Sequence, residues 1–257
     1  MLTFVGLGLY DERSVTVRGR EAIREADRVF AEFYTSRLAG TTVADLEAYH
    51  DVEIEVRDRA GVEQEPDPIL SAARAGYAVF LTAGDTMIST THVDLRLRAH
   101  ERGIDTRIVH GTTAQSAASG LTGLQNYRFG KATTLPFPGS HGGSGMPDSV
   151  LETIDGNRDR GLHTLVYLDI KTDRGQYMTA DRGAELLADA YGDDLGVAIA
   201  RAGSDDPAVV ADRVATLAER EFGDPLHLLL IPSDLHHVEA EALAELAGAP
   251  AGLLDAV

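Results

Sequence analysis

The sequence predicts an α/β fold of two domains, and three observations support this. Its 257 residues exceed the usual size of one domain and suit two of modest size. Short apolar runs alternate with amphipathic stretches through the first half, a pattern typical of a mostly parallel sheet covered by helices. The second half alternates with a different spacing, which indicates a separate, mixed sheet. We therefore place the domains at residues 1–111 and 112–257.

The first domain begins with a continuous apolar run at residues 2–9, which predicts a buried strand ending in a glycine-rich turn. Ser14 is placed to cap the next helix, because a serine hydroxyl can accept a hydrogen bond from a helical N–H. The remaining strands are predicted at residues 28–33, 52–56, 78–82 and 104–109. The remaining helices are predicted at residues 69–75 and 91–102.

The second domain is predicted to hold short strands separated by helices. The strands are predicted at residues 132–135, 164–170, 197–201 and 227–231. The helices are predicted at residues 149–160, 182–191 and 238–247. Residues 111–123 are rich in small side chains and suit a helix that another backbone or a ligand approaches closely. Residues 136–147 are rich in glycine and predict a surface loop.

The charge of the chain indicates its habitat. There are 23 basic and 41 acidic residues, a net charge of −18, and the basic residues include only two lysines, Lys131 and Lys171. Direct binding to nucleic acid or to a membrane surface is disfavoured, because both require a cationic surface. Repulsion between surface carboxylates is screened in concentrated salt, so we infer a halophilic source. The alternatives are an acidic protein from a genome of high GC content and one that meets a basic partner.

Absent features narrow the chemistry. The chain has no cysteine, which excludes disulfides, thiolate metal sites and thiol catalysis. No apolar stretch approaches the roughly 18 residues of a membrane span, and we expect a soluble, cytoplasmic protein. His236 and His237 are adjacent rather than four residues apart, so they do not match a zinc site, and no metal is predicted.

Two turns after predicted strands are candidates for ligand binding. Gly6-Leu-Gly8-Leu-Tyr-Asp11 begins like a dinucleotide fingerprint, but Asp11 stands where the third glycine belongs and would repel a pyrophosphate. It indicates either a close approach of backbone to a ligand or a tight turn without one. Asp85, after Gly84, can accept hydrogen bonds from a ribose, an ammonium group or a backbone N–H, or can simply cap its own turn.

The third candidate turn is His110-Gly111-Thr112-Thr113, in which a threonine hydroxyl can also serve as a helix cap. The carboxyl ends of parallel strands lie at one edge of their sheet, and ligands of open α/β sheets bind at that edge. Convergence of the three turns there therefore predicts a cleft for a small molecule.

Motifs from one end of the chain to the other resemble those of diphthine synthases. They include Phe4-Val-Gly-Leu-Gly-Leu-Tyr-Asp-Glu-Arg13, Phe30-Ala-Glu-Phe-Tyr-Thr-Ser36, Ser89-Thr-Thr-His92, Leu168-Asp-Ile-Lys171, Tyr177-Met-Thr-Ala180 and His236-His-Val-Glu-Ala-Glu241. The resemblance implies the tetrapyrrole-methylase fold, with S-adenosylmethionine in the cleft between two α/β domains, usually in a homodimer. It also implies methylation of the amino group of a 3-amino-3-carboxypropyl chain on a histidine of translation elongation factor 2. In archaea the expected product is the trimethylated form, diphthine, released with S-adenosylhomocysteine.

The resemblance also implies which residues contact the cofactor. By position these are Leu9, Asp85, Ile88, Thr113, Ala114, Leu168, Ala202 and His227. Thr113-Ala114 stand where the family commonly has Ser-Ile, which keeps a hydroxyl group but loses apolar contact. No catalytic side chain is assigned. Two alternatives stay open: a tetrapyrrole methyltransferase with the same cofactor, and a non-enzymatic module that only binds S-adenosylmethionine or a nucleotide.

The halophile hypothesis predicts a fold that is more stable in multimolar potassium chloride than in dilute buffer, because salt screens the repulsion between carboxylates. Thermal unfolding followed by circular dichroism over a series of salt concentrations measures this. We expect the midpoint to rise with salt. Full stability in dilute buffer, combined with loss of the fold in concentrated salt, would rule the hypothesis out.

Overall fold

The structure is a computed structural model that describes residues 1–140 and 146–254. The chain divides into two compact units, Met1–Thr113 and Ala114–Val257, whereas the sequence placed the boundary after residue 111. Of the predicted loop at 136–147, residues 141–145 lie outside the described residues. Within the described ranges, no helix combines the length and the apolar character needed to cross a membrane.

The first unit is built on a five-stranded parallel sheet with the strand order β3-β2-β4-β1-β5. Its strands are β1 (Leu2–Gly6), β2 (Arg28–Glu32), β3 (Ile54–Val56), β4 (Ala78–Thr82) and β5 (Thr106–Val109). Its helices are α1 (Val17–Glu25), α2 (Val43–His50), α3 (Arg59–Glu63), α4 (Asp67–Ala75) and α5 (Val93–Glu101). The parallel sheet predicted for the first half is confirmed.

The central strands of this sheet are apolar because both of their faces are covered. Every residue of β1 and β4 is buried. Three phenylalanines lie side by side in register across β1, β4 and β2, namely Phe4, Phe80 and Phe30. The rings of Phe4 and Phe80 pack edge to face, with 5.9 Å between their centroids. Val5 and Leu81, one residue further along their strands, belong to the core on the other face. Such double burial explains the continuous apolar runs in the sequence.

Local details of the first unit partly differ from the prediction. The first strand ends in the predicted glycine-rich turn, with its last residue at Gly6 and with Gly8 turning the chain at a φ of +76°. Thr16 caps α1, since its side chain accepts a hydrogen bond from Gly19 N at 3.1 Å. Ser14 does not cap this helix, because its hydroxyl donates to the Leu9 carbonyl. Helices α2 and α3 were not predicted.

The second unit contains a mixed five-stranded sheet with the order β11-β10-β12-β7-β6, in which only β6 and β7 are parallel. Its strands are β6 (Thr133–Leu135), β7 (Thr164–Leu168), β8 (Ile170–Lys171), β9 (Gln176–Tyr177), β10 (Leu195–Ala200), β11 (Ala208–Arg213) and β12 (His227–Ile231). Its helices are α6 (Ala114–Thr122), α7 (Asp148–Arg158), α8 (Ala180–Tyr191), α9 (Val214–Leu217), α10 (His237–Ala247) and α11 (Ala251–Leu254). The mixed sheet is confirmed. The predicted strand at 164–170 is divided into β7 and β8, and β11 was not predicted.

A buried carboxylate holds α10 against the segment before β6. Glu239 is fully buried, and its Oε1 accepts hydrogen bonds from Gln125 N at 2.8 Å and His163 Nε2 at 3.1 Å. Its Oε2 accepts from His236 N at 2.8 Å and Arg128 Nη1 at 3.2 Å. Burial by itself would raise the pKa of Glu239, but the hydrogen bonds outweigh it, so the pKa is lowered and the carboxylate stays ionised.

Candidate functional site

The three candidate turns meet at the carboxyl edge of the first sheet, as the sequence predicted. They follow β1, β4 and β5, which are neighbours in the sheet. Gly84 N donates to Gly8 O at 2.7 Å, and Gly8 N donates to Gly84 O at 3.1 Å. A Cβ atom added to Gly6 would lie 2.5 Å from Gly84 O and 2.6 Å from Gly111 N. The turns therefore pack backbone against backbone, with no space for a side chain at Gly6.

Asp85 ties two of these turns together. It is only 4% exposed, and its Oδ1 accepts a hydrogen bond from Met87 N at 2.9 Å, which fixes its own turn. Its Oδ2 accepts from Gly111 N at 3.1 Å and lies 2.7 Å from His110 Nδ1. Both carboxylate oxygens thus have protein partners. Asp85 therefore fixes the conformation of the turn after β4 and connects it to the turn after β5, in addition to any contact with a ligand.

Sequence reasoning missed the pairing of Asp85 with His110. The His110 side chain is 72% exposed, while the side chain of Asp85 is almost fully buried. A carboxylate is a hydrogen-bond acceptor, so the short contact assigns a proton to Nδ1, and in the neutral ring Nε2 is then the acceptor nitrogen. The two residues are 25 positions apart, and only the placement of β4 and β5 on either side of β1 brings them together. A histidine directly after a predicted strand was the one available signal.

The other predicted residues of the first unit belong to these turns, and Ala114 follows directly in the chain. Leu9 is half-buried in the turn after β1, and Ile88, in the turn after β4, is 44% exposed. Thr113 is half-buried at the end of the first unit, and Ala114 begins α6. The structure therefore places Leu9, Ile88 and Thr113 on the three turns that meet.

Leu168, Ala202 and His227 lie at one edge of the second sheet. Leu168 ends β7, His227 begins β12, and Ala202 comes two residues after β10. Because β12 runs antiparallel to both neighbours, its first residue lies beside their last ones, as the pairing of His227 with Ala200 shows. The structure brings these three predicted residues to a common edge.

His227 is held by hydrogen bonds at both ring nitrogens. Its Nδ1 accepts from Ala180 N at 3.0 Å, and its Nε2 donates to Asp224 O at 2.9 Å. Burial lowers the pKa of His227, so the ring is neutral near pH 7. Both ring nitrogens are therefore engaged within the protein, and His227 is only 4% exposed.

A second buried carboxylate, Glu32, supports the same edge of the first sheet. It ends β2 in register with Thr82 of β4, and its Oε2 accepts from the N–H groups of Tyr34 and Thr35, both at 3.0 Å. Its Oε1 lies 3.5 Å from Nε2 of buried His92, whose Nδ1 contacts Thr86 O at 3.1 Å. Burial raises the pKa of Glu32 and lowers the pKa of His92. Sequence reasoning did not single out either residue for this role.

Neither the histidines near α10 nor the pocket of the second unit forms part of this group of residues. Across the described residues, no group of three or more His, Asp or Glu side chains is arranged to hold a metal ion. His236 caps α10 instead, with its Nδ1 accepting from Val238 N at 3.4 Å.

A pocket of about 510 Å³ lies in the second unit and is lined by residues that include Arg201, Arg220 and Phe222. Its described lining contains none of the residues predicted to contact the cofactor.

Known proteins resemble this chain over its full length. The family model of the tetrapyrrole (corrin/porphyrin) methylases matches residues 1–218. A diphthine synthase of Halorubrum lacusprofundi is 70% identical over an alignment of 264 positions, which covers 99% of this chain and 100% of that protein. The chain belongs to the diphthine synthases. A second diphthine synthase, from Natronomonas pharaonis, is 71% identical over 263 residues, 99% of this chain and 98% of that protein.

The structural comparison agrees with membership of the diphthine synthases. A crystal structure of diphthine synthase matches with a TM-score of 0.92 at 37% identity, covering 100% of this chain and 99% of that one. The resemblance and the fold inferred from the motifs are thereby confirmed. The two sequence relatives come from halophilic archaea, which fits the source inferred from the charge.

Gly6→Ala is predicted to destabilise the first unit, because the added methyl group would overlap two backbone atoms that cannot rotate away. Overpacking of this kind should lower the free energy of unfolding by about 3 kcal/mol. Chemical denaturation at high salt measures the change. The matched control is Gly120→Ala in α6, where no atom lies within 4 Å of the added carbon; it should stabilise by about 0.5–1 kcal/mol. Unchanged stability of Gly6→Ala would contradict the described packing.

Proposed function

We propose that this chain is an S-adenosylmethionine-dependent N-methyltransferase that acts in diphthamide biosynthesis. Its substrate is the amino group of the 3-amino-3-carboxypropyl-histidine of translation elongation factor 2, and the final product is trimethylated diphthine. The observation that carries this proposal is the full-length match to diphthine synthases at about 70% identity. Elongation factor 2 acts on cytoplasmic ribosomes, so we place the enzyme in the cytoplasm, as a homodimer of the kind that the family resemblance implies.

The turns of the first unit fit S-adenosylmethionine. Gly8 and Gly84 take φ values of +76° and +73°, and no atom lies within 4 Å of the position a Gly84 Cβ would occupy. Ile88 offers exposed apolar surface beside this backbone. The buried Thr86 hydroxyl has no hydrogen-bond partner among the described residues. Such a combination of open backbone, apolar surface and an unpartnered hydroxyl suits a nucleoside with both polar and apolar faces.

The proposed cofactor contacts are the eight residues that the family resemblance implies. Leu9, Asp85, Ile88 and Thr113 belong to the first unit, whereas Ala114, Leu168, Ala202 and His227 belong to the second. The support for the second group is that Leu168, Ala202 and His227 share one sheet edge, where hydrogen bonds at both ring nitrogens fix the buried His227. At Thr113-Ala114 we propose contacts through the backbone, because alanine offers little side-chain surface.

Methyl transfer depends strongly on how the two reactants are positioned. When bound, S-adenosylmethionine supplies an electrophilic methyl group on a sulfonium ion. The substrate nitrogen attacks directly, so the enzyme needs no nucleophile of its own. Rigid turns that hold the methyl donor and a site that aligns the amine can supply much of the rate enhancement. The backbone contacts among Gly6, Gly84 and Gly111 provide that rigidity.

Substrate docking cannot depend on simple charge attraction. The enzyme carries a net charge of −18, and the elongation factor of a halophile is expected to be acidic as well. Two acidic proteins repel each other in dilute buffer. Docking should therefore rely on shape and should require high salt.

The proposed function is tested by incubating the purified chain at high salt with labelled S-adenosylmethionine and elongation factor 2 that bears the aminocarboxypropyl-histidine. We expect label in the factor, with mass increases in whole methyl groups up to the trimethyl form. Elongation factor 2 with an unmodified histidine is the control and should stay unlabelled. Label in a corrinoid precursor instead would indicate a tetrapyrrole methyltransferase, and cofactor binding without any transfer would indicate a binding module.

A further inference from the structure

The exposed ring of His110 lies against the buried Asp85, and His110 is not among the proposed cofactor contacts. We propose that His110 is the catalytic base of methyl transfer and that Asp85 is its positioning residue. In this role His110 Nε2 removes a proton from the ammonium group of the substrate. The inference rests on the proposed function, since it takes the aminocarboxypropyl-histidine as the methyl acceptor.

The geometry is that of a base held by a buried carboxylate. Asp85 Oδ2 lies 2.7 Å from His110 Nδ1, and the same oxygen accepts from Gly111 N, so the carboxylate cannot swing away from the ring. The Nδ1 proton is directed at Asp85, which leaves the Nε2 lone pair available as a proton acceptor. The ring is 72% exposed, so Nε2 is accessible to a substrate and to water. A carboxylate behind an imidazole both orients it and stabilises its protonated form.

Residue types in the three turns single out His110. Residues 6–11, 84–88 and 110–114 contain four titratable side chains, those of Tyr10, Asp11, Asp85 and His110. Asp11 is paired with the guanidinium group of Arg13 at 2.8 Å, and Asp85 is buried behind the ring. A phenol is a poor base near neutral pH, whereas an imidazole accepts and releases protons there. His110 is therefore the suitable base on the turns proposed to hold the methyl donor.

The proton balance of the step is complete. His110 Nε2 takes one proton from the substrate ammonium, which becomes a neutral amine, and the imidazole becomes imidazolium. The nitrogen lone pair then forms a bond to the methyl carbon while the carbon–sulfur bond breaks, and that electron pair stays on sulfur. The methylated nitrogen is again a cation, and the exposed imidazolium returns its proton to water. The same cycle serves each further methyl group, and the trimethylated nitrogen has no proton left to lose.

His110→Asn tests this role, because the asparagine amide N–H can replace the Nδ1–H that faces Asp85 but offers no basic nitrogen. In single-turnover transfer to modified elongation factor 2, we expect the rate to fall about 100-fold at neutral pH. Calorimetric affinity for S-adenosylhomocysteine should stay within about twofold of wild type, which also shows that the variant is folded. The matched control is His100→Asn, an exposed histidine on α5 that contacts Thr106 Oγ1 at 3.0 Å. This control should keep the wild-type rate.

Two readouts separate a base from a structural residue. The deficit of His110→Asn should shrink as pH rises, because hydroxide increasingly deprotonates the amine, and added imidazole should partly restore the rate. A rate within twofold of wild type would overturn the inference while leaving the proposed function intact. A deficit that is constant with pH and insensitive to imidazole would also overturn it, in favour of a structural role. If the wild-type chain transfers no methyl group at all, the proposed function fails, and this inference fails with it.

Discussion

Close backbone packing at the carboxyl edge of the first sheet is the constraint on which the rest of the site depends. Gly6, Gly84 and Gly111 meet at distances that exclude a Cβ atom at Gly6. The parallel order of β4, β1 and β5 delivers three turns to this point, and the glycines let those turns touch. Asp85 then locks the second turn to the third by accepting hydrogen bonds from Met87 N and Gly111 N.

Buried carboxylates do similar structural work in both units of this acidic chain. Asp85, Glu32 and Glu239 each accept backbone N–H groups, and each also contacts a histidine ring. Burying a carboxyl group is costly unless hydrogen bonds satisfy its oxygens, and here backbone N–H groups supply such bonds to all three. The net charge of −18 indicates adaptation of the surface to a saline habitat. The three internal carboxylates have a different role, because they fix the backbone segments whose N–H groups donate to them.

The fold class could be predicted from the sequence because parallel strands covered on both faces, such as β1 and β4, appear as continuous apolar runs. It missed α2 although Thr42 and Asp45 form a capping box, a local signal that was present in the sequence. Convergence of the turns followed from the parallel topology and is confirmed. The pairing of Asp85 with His110 was beyond sequence reasoning, because the register of three strands decides which side chains face each other. The cofactor contacts came from family resemblance and stay predictions.

The central claim is that the three packed turns hold the cofactor. Hydrogen exchange of the full chain at high salt, with and without S-adenosylhomocysteine, tests it most directly. We predict that the backbone amides of residues 6–11, 84–88 and 110–114 gain protection together, while those of β3, at the far edge of the same sheet, do not change. Protection that leaves these three turns unaffected, although the ligand is bound, would contradict the account.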